Sequence, residues 1–312
     1  MKLASFATRD LPHARLGIVR DNAIVDVELA ARALDVTPFE QMLDLVERYE
    51  QGMHTLRAIT QKAANRSFLD VRTFTEIGAA HTLSEVRLFA PIPRPRKNIV
   101  CLGLNYAEHA RESARARGRE ASTLQDPLFF TKATTTVNGP YGKIVIDPAV
   151  SSEIDWEVEL AVIIGKAGKN IREADALSHV FGYTVLNDVS ARDIQSRHKQ
   201  FFKGKSIDGY CPIGPWIVTA DEIPDPQQLT VRLRVNGVTR QQDSTSNMLF
   251  GVRSIIAILS LGMTLEAGDI IATGTPGGVG FARNPPEFLQ PGDVMETEVE
   301  GIGTLRNEIV GV

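Results

Sequence analysis

The chain has 312 residues, of which 43% are hydrophobic and 23% are charged, and its formal net charge is −4. A chain of this size can bury a large core, and its mixed charges leave no basic face that predicts nucleic-acid binding. Its two cysteines form no CxxC pair, the apolar stretch 255–265 is too short to span a bilayer, and residues 1–17 do not resemble a signal peptide. We therefore expect a cytoplasmic protein that binds neither membrane nor nucleic acid.

Residues 1–88 predict a small N-terminal α+β domain. Strand signals at 16–27 surround a turn at positions 21 and 22. The segment 37–40, Thr-Pro-Phe-Glu, is typical of a helix start, with the threonine as cap and the glutamate completing a capping box. Three prolines between residues 89 and 96 can neither lie inside a helix nor donate to a sheet, so we place the domain boundary after residue 88.

Residues 89–312 predict a second, β-rich domain. Alternating or apolar runs predict its strands, and Asn236-Gly237 is typical of a type I′ hairpin turn between two of them. The predicted strands span 154–164, 229–235, 270–273 and 294–299, and the predicted helices span 106–117, 171–180 and 248–261. Because strands and helices do not alternate regularly, the pattern indicates an α+β fold rather than a parallel α/β sheet.

The strand at 154–164 has one apolar face and one face that changes from acidic to apolar. Asp155, Glu157 and Glu159 lie on the second face, and the two glutamates are about 7 Å apart along the strand. Half-buried carboxylates at that separation repel each other, and a divalent cation such as Mg²⁺ removes the repulsion. A solvent-facing strand is the alternative, and we prefer it for the similarly spaced glutamates at 296–300.

Two further positions suggest acid–base or metal chemistry. Asp188 follows an apolar strand directly, which suits a third metal ligand or, alternatively, a helix N-cap. Asn105 is predicted to cap a helix in which His109 and Glu112 share one face. A carboxylate beside an imidazole orients the ring and raises its basicity, as a general base requires, although a plain surface pair has the same spacing.

Two glycine-containing segments are less specific. Lys203-Gly204-Lys205 places two cations in a turn, which surface lysines would also do. The segment 273–280 is rich in glycine, but no Lys-Ser/Thr pair follows it. It is therefore neither a P-loop nor a dinucleotide fingerprint, and we interpret it as a substrate-lining or tight turn.

Taken together, these segments resemble the fumarylacetoacetate hydrolase family over residues 97–312. The motifs occur in the family's order, and they are Asn105-Tyr106-x-x-His109-x-x-Glu112, Glu157-x-Glu159, Asn187-Asp188-x-Ser190-Ala191-Arg192-Asp193-x-Gln195, Gly204-Lys205-Ser206 and Thr273-Gly274-Thr275-Pro276. The adjacency of the histidine and glutamate in the first motif is like that of the family's shorter members, whereas the founding large hydrolases carry this glutamate late in the chain.

The resemblance implies a mixed β-sandwich roll that forms a homodimer and binds Mg²⁺ or Mn²⁺. It implies a metal site, an acid–base dyad on a lid helix that orders over the substrate, a catalytic cation, and contacts to the substrate's carboxylate and oxo groups. The metal site maps onto Glu157, Glu159 and Asp188, and the dyad maps onto His109 and Glu112. The catalytic cation maps onto Lys205. The contacts to the substrate map onto Arg192, Gln195, Lys132 and Thr275.

The family's short members include acylpyruvate hydrolases, hydroxymuconate-type isomerases and oxaloacetate decarboxylases of 2-oxo acid and aromatic catabolism. We predict a hydrolase that cleaves a C–C bond in a small 2,4-dioxo acid, with His109 taking a proton from the attacking water. An isomerase or decarboxylase on the same site is the alternative. A non-catalytic protein that binds metal or oxo acids is a third hypothesis, but it would have no need of the dyad.

Overall fold

The computed structural model describes residues 1–64, 71–118, 120 and 125–312. Its helices are α1 (Val27–Ala33), α2 (Met42–Glu47), α3 (Tyr49–Ala64), α4 (Val71–Glu76), α5 (Ala107–Ala116), α6 (Arg192–His198), α7 (Phe201–Lys205) and α8 (Val252–Leu259). Its strands are β1 (Lys2–Ala7), β2 (Arg15–Arg20), β3 (Ala23–Asp26), β4 (Ala80–Thr82), β5 (Arg87–Phe89), β6 (Ile99–Gly103), β7 (Leu128–Lys132), β8 (Val137–Asn138), β9 (Ile144–Ile146), β10 (Ile154–Asp155), β11 (Val158–Ile164), β12 (Val180–Asn187), β13 (Ser190–Ala191), β14 (Cys211–Thr219), β15 (Thr230–Val235), β16 (Val238–Ser244), β17 (Ile270–Ala272), β18 (Val294–Val299) and β19 (Gly303–Gly311).

These strands form a large mixed sheet and a smaller one. The large sheet runs in the order β4-β3-β2-β1-β14-β12-β11-β17-β6-β7, with β5 against β1 and β8 against β14. The smaller sheet runs β16-β15-β18-β19-β9, and β10 pairs separately with β13. Most neighbours are antiparallel, while β6 on β17, β8 on β14 and β9 on β19 are parallel. The predicted α+β class is confirmed.

The central strand β11 is buried on both faces, which explains its apolar run. Val158 and Leu160 point into a core shared with the smaller sheet. Ala161 and Ile163 point into a second core that contains residues of α1, α2 and α3. The large sheet is therefore packed between the smaller sheet and the N-terminal helices, and this sandwich holds β11 rigidly.

The N-terminal strands extend the large sheet, since Leu3 of β1 pairs with Ile217 of β14. The predicted hairpin at positions 21 and 22 is confirmed by β2 and β3. The helix predicted to start at Thr37 is wrong: α2 begins at Met42, and Gln41 precedes it without a side-chain cap. Tertiary packing overrides the capping pattern here, because the Phe39 side chain is buried in the second core. The division into domains 1–88 and 89–312 stays a prediction.

Several other predicted elements can be compared with the structure. The hairpin turn at Asn236-Gly237 is confirmed, and both residues have positive φ. The segment predicted as a helix at 171–180 is a 3₁₀ helix over Glu173–His179, and α8 is shorter than predicted. Within the part of the chain that the structure describes, no helix is long and apolar enough to cross a membrane.

Candidate metal and acid–base site

Antiparallel pairing of β11 with β12 brings three carboxylates together. Val158 pairs with Asn187, so the residue before one strand and the residue after the other meet at the same edge. Oxygen atoms of Glu157, Glu159 and Asp188 lie within 4.8 Å of one another, and all three side chains are buried. Asp188 does not cap a helix, because β13 follows it before α6 begins. The predicted single strand at 154–164 is in fact two strands, β10 and β11, with Glu157 in the break between them.

Three buried cations surround this carboxylate cluster. The Lys205 ammonium lies 2.7 Å from Glu157 Oε2 and 2.7 Å from Asp188 Oδ2. Lys132 Nζ lies 2.6 Å from Asp188 Oδ1, and an Arg192 nitrogen lies 2.8 Å from Glu157 Oε1. Lys205, which could have been a surface lysine by sequence, is thus a buried member of the cluster. Paired charges of this kind hold one another in place, whereas removing one partner leaves a costly buried charge.

The two glutamates of the strand have opposite electrostatic environments. Burial alone would raise the pKa of Glu157, but the positive charges of Lys205 and Arg192 outweigh burial and lower that pKa to about 2. Burial raises the pKa of Glu159, and the negative charges of Asp188 and Glu157 raise it further, well above its usual value. Without another cation, Glu159 is therefore the carboxylate that resists ionisation.

The contacts of Glu159 fit a divalent cation. Its Oε2 accepts a hydrogen bond from the backbone N–H of Gly274 at 2.7 Å. Its Oε1 is buried and has no hydrogen-bond partner among the residues that the structure describes. An unsatisfied buried carboxylate oxygen is costly, and a hard cation such as Mg²⁺ or Mn²⁺ would satisfy it through oxygen ligands.

The predicted dyad lies on α5, where His109 is only 5% exposed. His109 Nδ1 is 3.0 Å from Glu112 Oε1, and Glu112 Oε2 accepts a hydrogen bond from the Gly278 N–H at 2.8 Å. A ring whose Nδ1 donates to the Glu112 carboxyl oxygen has Nε2 as its basic nitrogen, an assignment made from the bonding pattern. The dyad is therefore buried, unlike a plain surface pair. Its Glu112 carboxyl group, which does not line the cavity, is held by the Gly278 N–H.

The capping role predicted for Asn105 is wrong. Tyr106 is the residue that precedes α5, and it makes no side-chain cap. The Asn105 amide instead donates to the carbonyl oxygens of Phe250 at 3.0 Å and Thr273 at 2.8 Å. The asparagine thus joins the start of the dyad helix to the loop after β17, a contact across 168 residues.

That loop, residues 274–281, supplies backbone N–H groups to three carboxylates in turn. The acceptors are Glu159 of the cluster, Glu112 of the dyad and Asp155 of β10. Gly280 is required because a Cβ there would meet a backbone carbonyl oxygen at 2.1 Å. The sequence indicated a tight or substrate-lining turn; Thr275 of this loop does line the cavity, and the loop also orients acidic side chains by hydrogen bonds.

Asp155 is a residue whose importance the sequence did not reveal. Its carboxylate accepts from Arg192 Nε at 2.8 Å and from the N–H groups of Gly280 at 2.7 Å and Phe281 at 3.2 Å. Asp155 thereby directs Arg192 toward Glu157. The only local signal was its place on the acidic face of the predicted strand, since apart from the neighbouring Trp156 N–H its partners lie 37 and more residues away.

A small cavity of about 20 Å³ lies between the carboxylate cluster and α5. Six of the predicted site residues line it, namely His109, Glu157, Arg192, Gln195, Lys205 and Thr275. Lys132 is instead completely buried and touches Asp188. This volume holds about one water molecule, so the surrounding groups must shift before an oxo acid can enter. The lid predicted from the sequence covers about residues 108–125 and so extends past α5; its residues 119 and 121–124 lie outside the described part of the chain, so the lid stays a prediction.

Sequence reasoning also missed Ser113, Arg117 and Gln241. Ser113 of α5 and Arg117, which directly follows that helix, line the cavity. Gln241 donates to Thr275 Oγ1 at 2.8 Å and accepts from the Val158 N–H at 3.0 Å, so it joins the loop to β11. The helical spacing of the first two from His109 could have found them, whereas nothing local indicated Gln241.

Comparison with known proteins agrees with this geometry. The family model described as fumarylacetoacetate (FAA) hydrolase C-terminal matches residues 98–310. Oxaloacetate tautomerase YisK of Bacillus subtilis is 52% identical over 235 residues, which are 75% of this chain and 77% of that protein. The mitochondrial oxaloacetate tautomerase FAHD2A of Bos taurus is 40% identical over 314 residues, which are 99% of this chain and 92% of that protein.

A solved structure shares the whole fold. Maleylpyruvate hydrolase from Sphingobium sp. SYK-6, in complex with manganese (II) ion and pyruvate, superposes with a TM-score of 0.74 at 30% identity and covers 100% of this chain and 99% of its own. The matched family region, the buried carboxylates and these relatives lead to one conclusion: the chain belongs to the fumarylacetoacetate hydrolase family of divalent-metal-dependent enzymes.

Proposed function

We propose that this enzyme is an oxaloacetate tautomerase, which interconverts the keto and enol forms of a small 2-oxo acid. The observation that carries the proposal is the buried His109–Glu112 pair, which faces the carboxylate cluster across one small cavity. Keto–enol exchange needs a base beside the acidic carbon and a positive environment for the developing oxyanion, and nothing has to be cleaved. The names of the Bacillus and bovine relatives support the same reaction.

In this proposal Glu157, Glu159 and Asp188 hold one divalent ion, with Mg²⁺ as the ion we expect in the cell and Mn²⁺ as a substitute. Bound there, the ion would polarise the oxo group and acidify the neighbouring carbon. Lys205 and Lys132 orient the Asp188 carboxylate through contacts of 2.7 and 2.6 Å.

The chain's own residues account for the proton transfer. His109 Nε2 takes a proton from C3 of the 2-oxo acid, the C2–C3 double bond forms as the C2=O π electrons move to oxygen, and the imidazolium then gives the proton to that oxygen. Glu112 fixes the ring through Nδ1 and stabilises the imidazolium while it holds that proton. Arg192 and Gln195, which line the cavity beside the cluster, are placed to bind the substrate's 1-carboxylate.

Hydrolysis of a 2,4-dioxo acid, the reaction predicted first from the sequence, is the second candidate. It is favoured by the 30% identity to a maleylpyruvate hydrolase structure that contains Mn²⁺ and pyruvate. The same histidine would then take a proton from water rather than from C3. Decarboxylation of oxaloacetate would use the same site without a proton-abstracting base.

Product analysis separates the three reactions. The enzyme with Mg²⁺ is mixed with enol-oxaloacetate, and loss of the enol is followed by ultraviolet absorbance while products are identified by mass. We expect rapid loss of the enol with no change in mass and little acetate from acetylpyruvate. Pyruvate and CO₂ from oxaloacetate would identify a decarboxylase, and pyruvate and acetate from acetylpyruvate would identify a hydrolase. An enol lifetime equal to that in Mg²⁺ buffer would refute tautomerase activity.

Asp155 offers a prediction about the groups that support the metal ligands. Replacing Asp155 by Asn puts an amide where Arg192 and three backbone N–H groups all need an acceptor, so Arg192 loses its orientation toward Glu157. We expect Mn²⁺ affinity, measured by titration calorimetry, to fall about 10- to 100-fold. The control is Asp193→Asn, since Asp193 bonds to Ser151 instead. Unchanged Mn²⁺ affinity in Asp155→Asn would show that Arg192 does not support Glu157.

Three other expectations remain part of this proposal. The homodimer and a role in catabolism of 2-oxo acids or aromatic compounds are what the family resemblance implies, and the cytoplasmic location is what the cysteine usage and the short apolar stretches of the sequence predict. The bovine relative is named as mitochondrial, which concerns that protein. The small N-terminal domain, residues 1–88, is proposed as a support for the catalytic region, since β1 pairs with β14.

A further inference from the structure

One face of α5 is polar along its whole length and lines the cavity. His109, Ser113 and Arg117 follow one another at intervals of four residues, so they lie on the same side of the helix or just beyond its last turn. All three line the cavity, and so do Glu157 and Lys205 of the carboxylate cluster and its cations. The dyad mechanism uses only the first of the three helix residues.

Ser113 has a property that points to a ligand. The residue is 1% exposed, and its hydroxyl has no hydrogen-bond partner within the described parts of the chain. A buried hydroxyl can donate one hydrogen bond and accept others, and leaving it unsatisfied is unfavourable. Because this hydroxyl belongs to the cavity wall, a polar group of a bound molecule would satisfy it.

Arg117 brings positive charge to the same wall. Its guanidinium carbon lies 5.1 Å from the centre of the Phe281 ring, and that of Arg192 lies 4.4 Å from the same ring. Stacking on a ring uses the face of a guanidinium group, whereas a carboxylate binds along its edge. Arg192 directs its edge toward Asp155 and Glu157, while Arg117 lies one turn beyond Ser113 at the exposed rim.

We propose that Ser113 and Arg117 form a subsite for the second carboxylate of a dicarboxylic 2-oxo acid. The inference rests on the proposed function, which places the first carboxylate and the oxo group at the metal side of the cavity. The Ser113 hydroxyl donates to one carboxylate oxygen, and the Arg117 guanidinium neutralises its charge. The subsite selects substrates with a carboxylate at each end over those ending in a methyl group.

The test compares two unreactive ligands of equal length that differ only at the far end. Malate carries the second carboxylate, and 2-hydroxybutanoate carries a methyl group in its place. Their affinities for the full-length protein at saturating Mg²⁺ are measured by titration calorimetry. The variants are Ser113→Ala and Arg117→Gln, and the control is Arg115→Gln, which removes the same charge from an exposed position on the same helix.

We expect the wild-type protein to prefer malate. Arg117→Gln should weaken malate binding about tenfold and Ser113→Ala about threefold to tenfold, as the loss of one charge-assisted hydrogen bond would. Both should leave 2-hydroxybutanoate within about twofold, and Arg115→Gln should change neither ligand. Equal weakening of both ligands, no preference in the wild-type protein, or no binding of either ligand overturns the subsite.

This experiment can refute the subsite without refuting the proposed reaction, and the reverse also holds. Neither ligand undergoes keto–enol exchange, so the subsite is tested even if the enzyme has a different activity. If oxaloacetate is a substrate, Arg117→Gln should also raise its KM about tenfold and change kcat little, because the far carboxylate is bound alike before and during proton transfer. A fall in kcat at unchanged KM would contradict a binding role.

Discussion

Replacing Glu159 by Gln is expected to lower metal-dependent turnover by about three orders of magnitude, since a metal ion contributes several kcal/mol of charge stabilisation. The Glu159 Oε1 atom is the buried carboxylate oxygen without a partner in the described structure, so it depends most directly on a cation. A neutral amide in its place is a weaker ligand for Mg²⁺ and cannot balance the ion's charge. Turnover at saturating substrate and Mg²⁺ measures the loss.

Thermal unfolding gives a second measure that does not depend on the reaction. At about 100 times its Kd, Mg²⁺ should add roughly 2.7 kcal/mol to the free energy of unfolding of the wild-type protein and little to that of Glu159→Gln. In EDTA the Glu159→Gln variant should be more stable than the wild-type protein, because the variant lacks the repulsion of Glu159 by Asp188 and Glu157. The matched control is Glu298→Gln, which has the same Glu-x-Glu spacing on β18 but pairs with Arg234 at the surface.

The same carboxyl predicts a pH dependence in EDTA. Burial and neighbouring carboxylates raise the pKa of Glu159 above 4.5 in the folded protein, so the folded state binds more protons than the unfolded state. The contribution of Glu159 to the free energy of unfolding is fully present below its ordinary pKa of 4.5 and is lost as pH rises through the raised pKa. Glu159→Gln should not show this loss. If wild-type turnover survives EDTA, or if Glu159→Gln keeps its Mg²⁺ response, the assigned metal site is wrong.

Replacing His109 by Ala is expected to lower keto–enol exchange by about 10² to 10⁴, the usual contribution of a general base. The metal ligands lie on the sandwich and His109 lies on α5, so the variant should keep the Mg²⁺-dependent increase in thermal stability. Glu112→Gln should lower the rate less, because the ring stays in place while its imidazolium form loses a charged partner. The control is His198→Ala, which removes an exposed histidine from α6.

The reactions respond differently to this substitution. Hydrolysis of a 2,4-dioxo acid would fall with keto–enol exchange, since both use the base, whereas decarboxylation should fall much less. The rates of keto–enol exchange, hydrolysis and decarboxylation are measured for His109→Ala and for His198→Ala under saturating Mg²⁺. A His109→Ala enzyme that exchanges keto and enol within about threefold of wild type would lack the expected loss and would exclude His109 as the base.

Features within one element could be predicted from the sequence. Alternation placed Glu157 and Glu159 on one face, since successive side chains of a strand point to opposite sides. Helical spacing paired His109 with Glu112, and the 3.0 Å contact between them agrees. The turn at Asn236-Gly237 followed from the positive φ angles that a type I′ turn requires. In each case the determining interactions lie within a few residues of the chain.

Features that join distant elements were decided by tertiary structure alone. Local capping rules assigned Asn105 and Thr37 to helix starts, but Asn105 bonds across 168 residues and the cap of Thr37 is absent. Asp155 and the loop 274–281 gained their roles only when folding placed backbone N–H groups 125 residues away beside the carboxylate. A buried charge must find its partners wherever the chain passes, and periodicity in the sequence carries no information about such contacts.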